Sequence, residues 1–184
     1  MTTSGAIEAV WRIEQPKLVA RLNRLLRDVG LAEEIAQDAF VAALERWPRD
    51  GIPRNPAAWL TQVAKNKALD RLRRTTRIDG KHRELTVDLA GLEREAAAIE
   101  AMLDEDIDDD LLRLIFTACH PVLPAEQRVA LALRLLGGLS IQEISRAFLL
   151  PEATIAQRIV RAKRTLRDAE IAFETPRGEE RRVR

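Results

Sequence analysis

Apolar residues recur along this chain three and four positions apart, the period of a helix, and almost nowhere at the alternate spacing of a strand. A first helical stretch is predicted over 7–29. Pro16 interrupts it, either starting a second helix or kinking one, and Gly30 stops it. A helix over 32–47 follows, ended by Pro48, with Ala36, Phe40, Ala43 and Trp47 on its inner face. Asn55 before Pro56 is a side-chain cap with proline at the first helical position. It opens a third helix reaching about residue 74, with Leu60, Ala64, Ala68 and Leu72 inward. Further helices are predicted over 111–119, 125–136, 140–148 and 152–172, and Gly137-Gly138 ends the second of these. The pattern is all-α.

The last helix has the cleanest apolar stripe: Ile155, Ile159, Ala162, Leu166, Ala169 and Phe173. The opposite arc holds Gln157, Val160, Arg161, Arg164 and Arg167, flanked by Thr154 and Arg158. A short helix precedes it. Ser140 and Glu143 form a capping box at that helix's head, and Pro151 marks the turn between the two. A short helix, a turn and a longer basic helix make the helix-turn-helix, which places one helix in the DNA major groove. Arginine and glutamine bond base edges, and arginine and lysine pair with phosphates. Val160 within this polar arc suits contact with a thymine methyl. The competing reading is a helical hairpin with a solvated basic face. The capping box and proline-marked turn favour the motif.

Charge changes the picture by its distribution. The net charge is only +1 over 184 residues. Between Arg54 and Arg83 basic residues dominate; from Glu84 to Asp110 acidic ones do; after Pro151 the chain is basic again. The chain therefore divides into a first domain over 1–83, an acidic linker over 84–110, a helix-turn-helix domain over 111–173 and a charged tail over 174–184. Part of the linker, 92–103, has a helical pattern. The single cysteine, Cys119, excludes an internal disulfide and fits a reducing, cytoplasmic setting. No leader or membrane-length apolar run is visible, so no membrane partner is expected.

Within the first domain, the helix over 32–47 carries Glu34, Asp38 and Glu45 outside, with Gln37 and Val41 among them. On spacing alone this acidic face reads as solvated surface; the functional alternative is docking on a basic partner. The third helix presents Gln62, Asn66 and Arg73, with Trp59 in its first turn. Amides, an aromatic and bases on one side suit unpaired DNA, although core packing explains Trp59 equally well.

Leu31-Ala-Glu-Glu-Ile-Ala-Gln-Asp-Ala-Phe40, the run from Asn55 to Arg74, and the helix-turn-helix together resemble successive segments of bacterial RNA polymerase sigma factors. The match is to the extracytoplasmic-function (ECF) subgroup, which keeps the second and fourth conserved regions. The phrases Leu114-Ile-Phe-Thr-Ala-Cys-His-Pro-Val-Leu-Pro124 and Phe148-Leu-Leu-Pro-Glu-Ala-Thr-Ile-Ala-Gln-Arg158 resemble a branch usually carrying a C-terminal extension of helical repeats; this sequence stops at Arg184 without one.

The resemblance implies roles. Glu34, Gln37, Asp38 and Val41 would dock on the clamp helices of the polymerase β′ subunit, and the second domain would meet the β flap. The loop 49–55, including Asn55, and the helix from Trp59 would open the −10 element and hold its non-template strand. Asn66 would meet an unstacked base there, while Lys65, Arg71, Arg73 and Arg74 contact the backbone. Thr154, Gln157, Arg158, Val160, Arg161 and Arg164 would read the −35 duplex. The linker would thread toward the polymerase active-site channel. An anti-sigma protein or a C-terminal extension would control the factor. No enzymatic activity, cofactor or metal is implied, and Cys119-His120 reads as structural. One departure stands out. Relatives often begin the recognition helix Gly-Thr-Val-Lys-Ser-Arg, whereas this chain has Ala153-Thr-Ile-Ala-Gln-Arg158, where Gln157 is placed to read adenine. A stand-alone helix-turn-helix regulator is the alternative, but it leaves the first domain without a purpose.

Overall fold

The structure, a computed structural model, describes residues 3–80 and 107–176. Among these residues it is all-helical: α1 (Thr3–Leu26), α2 (Val29–Asp50), α3 (Pro56–Gly80), α4 (Ile107–Ala118), α5 (Ala125–Leu135), α6 (Ile141–Phe148) and α7 (Glu152–Asp168). The linker segment 84–106, with its predicted helix over 92–103, lies outside the described residues, as does the tail beyond residue 176.

α1 packs on α2 and α3, and α2 on α3, forming the first module. α5, α6 and α7 pack together in the second. One continuous apolar core joins the modules: Ile7, Leu22 and Leu60 from the first, and Leu114, Leu131, Ile144 and Ile155 from the second. Each such side chain contributes roughly 1.5–3 kcal/mol by leaving water.

Several sequence expectations shift. Pro16 neither starts nor ends a helix; α1 runs through it. A proline there removes one N–H and so frees the carbonyl four residues back, that of Arg12. Gly138 packs against that carbonyl: a Cβ on Gly138 would sit 3.5 Å from the Arg12 oxygen, and its φ of +63° already disfavours a side chain. Next, the break between α1 and α2 is not at Gly30. It falls at Arg27–Asp28, where Asp28 Oδ1 caps α2 by accepting from the backbone N–H groups of Gly30 (2.8 Å) and Leu31 (3.0 Å). Pro48 lies inside the last turn of α2, which ends when the Gly51 N–H bonds the Trp47 carbonyl.

A further shift concerns Asp110, assigned above to the linker. Asp108, Asp109 and Asp110 belong to α4, and Asp110 is fully buried. Burial pushes its carboxyl above the ordinary range, while Arg24 and Arg113 pull it back. The second module therefore begins inside the acidic run, on a residue tied to the first.

The helix-turn-helix starts as expected. Ser140 Oγ accepts from the Glu143 N–H at 3.2 Å, and Glu143 Oε2 accepts from the Ser140 N–H at 2.8 Å. α7 ends at Asp168, earlier than predicted. Glu170 takes a left-handed φ of 48°, the chain turns, and Phe173 reaches the core from an irregular segment while Ala169 stays exposed.

Candidate nucleic-acid interface

α7 is two-faced. Ile155, Ile159, Ala162 and Leu166 are buried, while Gln157, Arg161, Arg164 and Arg167 are exposed on the opposite side. Val160 stands among them, 64 % exposed. Six positions of the predicted reading face therefore divide. Gln157, Val160, Arg161 and Arg164 are open; Thr154 and Arg158 are half-buried. Arg158 turns inward and pairs with Glu126 of α5 at 2.5 Å. Arg164 pairs with Asp168 on its own helix at 3.3 Å, an exposed contact that a phosphate can displace.

The outer side of α3 is less uniform than its sequence suggests. Asn66 is exposed, and its Oδ1 accepts from Gln62 Nε2 at 3.3 Å. Asn55 serves the helix itself, its Oδ1 accepting from the Ala58 N–H at 3.1 Å. Trp59 is half-buried and packs edge-on against Trp47, ring centroids 5.2 Å apart. Lys65 is only 9 % exposed, because the turn that carries it faces the core beside Ala64 and Ala68, so it is not presented with Asn66. Arg71 and Arg74 are exposed but face α2: with Glu34, Asp38 and Lys67 they line a surface cavity of about 190 Å³. The side chain of Arg73 lies outside the described set.

On α2, Glu34, Asp38 and Val41 are exposed and Gln37 is half-buried. Leu44, which the sequence reading did not single out, extends the apolar centre at 41 % exposure beside Val41 at 50 %. Asp38 pairs with Lys67 at 3.6 Å, so the acidic face abuts a basic wall supplied by α3.

Residues 10–78 match the family model of Sigma-70 region 2, and residues 113–166 that of Sigma-70, region 4. The chain is 32 % identical to the ECF RNA polymerase sigma factor SigK of Mycobacterium tuberculosis, over 79 % of this chain and 75 % of that protein. The chain belongs to the ECF RNA polymerase sigma factors. This sigma factor is also 44 % identical, over 96 % of its length, to an uncharacterised protein of Rhizobium meliloti, of which it spans 41 %. It is 27 % identical, over 94 % of its length, to the probable ECF RNA polymerase sigma factor SigI of Mycobacterium tuberculosis, of which it spans 58 %. The sigma factor thus covers about half the length of these two relatives. None of its described helices is long and apolar enough to cross a membrane.

The sequence reading missed residues that hold the two modules together: Glu33, Asp110, Arg134 and Lys163. A signal was present for Glu33. It falls three residues before Ala36 and seven before Phe40, on the inward stripe of α2, where a charge requires a partner.

Proposed function

We propose that this sigma factor binds core RNA polymerase and directs it to promoters. In this reading α2 docks on the β′ clamp helices through Glu34, Gln37, Asp38 and Val41. α3 holds the melted −10 strand through Asn66, and α7 reads the −35 duplex. The observation that carries it is the division of α7 between a fully buried apolar stripe and an exposed row of Gln157, Val160, Arg161 and Arg164, set on a capped helix-turn-helix. Base-edge and phosphate donors are thereby held on a rigid element. RNA synthesis remains with the polymerase; the factor supplies recognition, and capture of unstacked bases offsets the cost of opening the duplex.

The test is reconstitution with bacterial core polymerase. The wild type is expected to bind core and support promoter-specific transcripts. Glu34→Lys/Asp38→Lys is expected to abolish binding without unfolding, since both residues are exposed. Promoter-specific DNA binding by the folded chain with no affinity for core polymerase would instead establish a stand-alone regulator.

A further inference from the structure

Arg158 differs from the other arginines of α7. Arg161, Arg164 and Arg167 are exposed, and the pairs that Arg164 and Arg167 make with Asp168 stay on their own helix. The side chain of Arg158 is 23 % exposed, and its Nη2 lies 2.5 Å from Oε2 of Glu126 on another helix. Glu126 stands in the first turn of α5, which packs on α7. None of the guanidinium nitrogens of Arg158 is buried without a partner, so those turned away from Glu126 meet solvent.

Stability alone explains this pair poorly. Glu126 is 69 % exposed, and an ion pair with one partner in water adds little to folding. The position of Arg158 says more. It follows Thr154 by one turn, in the N-terminal half of the recognition helix, the half that meets base edges in a helix-turn-helix.

A carboxylate changes what an arginine there can do. An arginine without a partner beside duplex DNA is drawn to phosphate, and a phosphate contact carries no sequence information. Paired with Glu126, the group is net neutral and that attraction is largely cancelled. The remaining N–H groups still donate. Their planar fork matches the O6 and N7 acceptors of guanine, which are uncharged. Holding the side chain in place beforehand also removes part of the ordering cost from the binding step.

We propose that Glu126 is a positioning residue for the −35 element: it holds Arg158 off the phosphate backbone and leaves the free edge of the guanidinium to a guanine. The inference deepens the −35 reading above and rests on it. Glu126 acts through Arg158 and touches no base itself. The competing role is structural, a carboxylate favouring the head of α5, and that role acts equally on every DNA sequence.

The experiment is binding of the polymerase holoenzyme to duplex promoter fragments in which each −35 base pair is replaced in turn, at several salt concentrations. Wild type is expected to prefer guanine at one pair by about tenfold, and Arg158→Ala to lose that preference. Glu126→Ala is expected to reduce the same preference at least about fivefold. It is also expected to steepen the fall of log affinity with log salt by about 1, because the released arginine takes a phosphate. Glu126→Gln keeps the shape and loses the charge. It is expected to shift both readings in the same direction, and decides the matter where circular dichroism shows Glu126→Ala unfolded. In an Arg158→Ala background, Glu126→Ala is expected to change neither preference nor slope. An effect of the Glu126 variants equal on every sequence, or one that persists without Arg158, overturns the positioning role. A guanine preference that Arg158→Ala leaves intact overturns it as well, while the −35 reading stands. A wild-type holoenzyme with no base preference anywhere in the −35 element overturns that reading, and this inference with it.

Discussion

Arg24 of α1 approaches Asp110 of α4 to 3.5 Å, with both side chains almost out of solvent, 10 % and 1 % exposed. Arg113, one turn along α4, reaches the other carboxylate oxygen at 3.1 Å. Among the described residues this is a nearly solvent-free polar tie between the modules, and it places Asp110 in the second one.

Asp110→Ala is expected to cost about 3 kcal/mol, because it leaves two guanidinium groups facing a buried site without the carboxylate. The midpoint of urea unfolding reads it. Asp110→Asn, which keeps shape and one acceptor, is expected to cost clearly less. The pH dependence has a definite sign. Burial raises this carboxyl in the folded state above its unfolded value, so the folded protein holds the proton more tightly. The contribution of this group is complete at low pH and is lost as pH rises through the raised value. Asp110 therefore opposes acid unfolding.

Glu143 behaves in the opposite way. The backbone N–H of Ser140, then the Ser140 hydroxyl and Arg12, hold its carboxyl down from the ordinary 4.5 to about 2. The folded state binds this proton less tightly than the unfolded one, so the stabilisation is present above 4.5 and lost as pH falls toward 2. Urea titrations at both ends of that window should show a loss in wild type that is smaller in Glu143→Gln. Ser140→Ala, which removes the cap from α6, is expected to cost about 1 kcal/mol at neutral pH.

The sequence was most legible where one helix meets water on one side only. The Ser140–Glu143 box, the Asn55 cap and the α7 stripe follow from local rules; the structure keeps the first two whole and the stripe from Ile155 to Leu166. It was least legible where the modules meet. Nothing local distinguishes Asp110 from Asp108 and Asp109, yet one is the buried partner of Arg24 and the others open a helix. Glu33 and Glu34 are identical neighbours, and only the inward stripe separates them. Gly30 was read as the stop of the first helix, whereas the Asp28 cap sets the break two residues earlier. Of the residues assigned to the −10 strand, Lys65 shows the same limit: a basic residue in a basic run is still carried inward by helical phase.

Trp59 and Asn66 should separate stability from melting. Trp59 packs on Trp47, so Trp59→Ala is expected to cost about 2 kcal/mol and to lower the thermal midpoint. Asn66 is exposed and bonds only Gln62 among the contacts described, so Asn66→Ala is expected to leave stability within about 0.5 kcal/mol. It is nevertheless expected to reduce transcription roughly tenfold, the loss of one charge-free base contact of a little over 1 kcal/mol. A promoter mismatched across the −10 element tests the assignment. Asn66→Ala should remain weak on it, because the strand must still be held, while a defect confined to duplex opening would disappear.

The proposed reading gives the exposed row of α7 two kinds of contact, and salt separates them. Arg161 and Arg164 are exposed; if they hold phosphates as proposed, Arg161→Gln and Arg164→Gln should each reduce the slope of log affinity against log salt by about 1, nearly equally on every sequence. Val160 carries no charge and is 64 % exposed. Val160→Ala should leave the slope unchanged and weaken preference for thymine at one base pair by about 1 kcal/mol. Binding of the polymerase holoenzyme to a set of −35 variants at several salt concentrations measures both. A changed slope with Val160→Ala, or an unchanged thymine preference at every position, would remove valine from the reading face and leave recognition to Gln157 and the arginines.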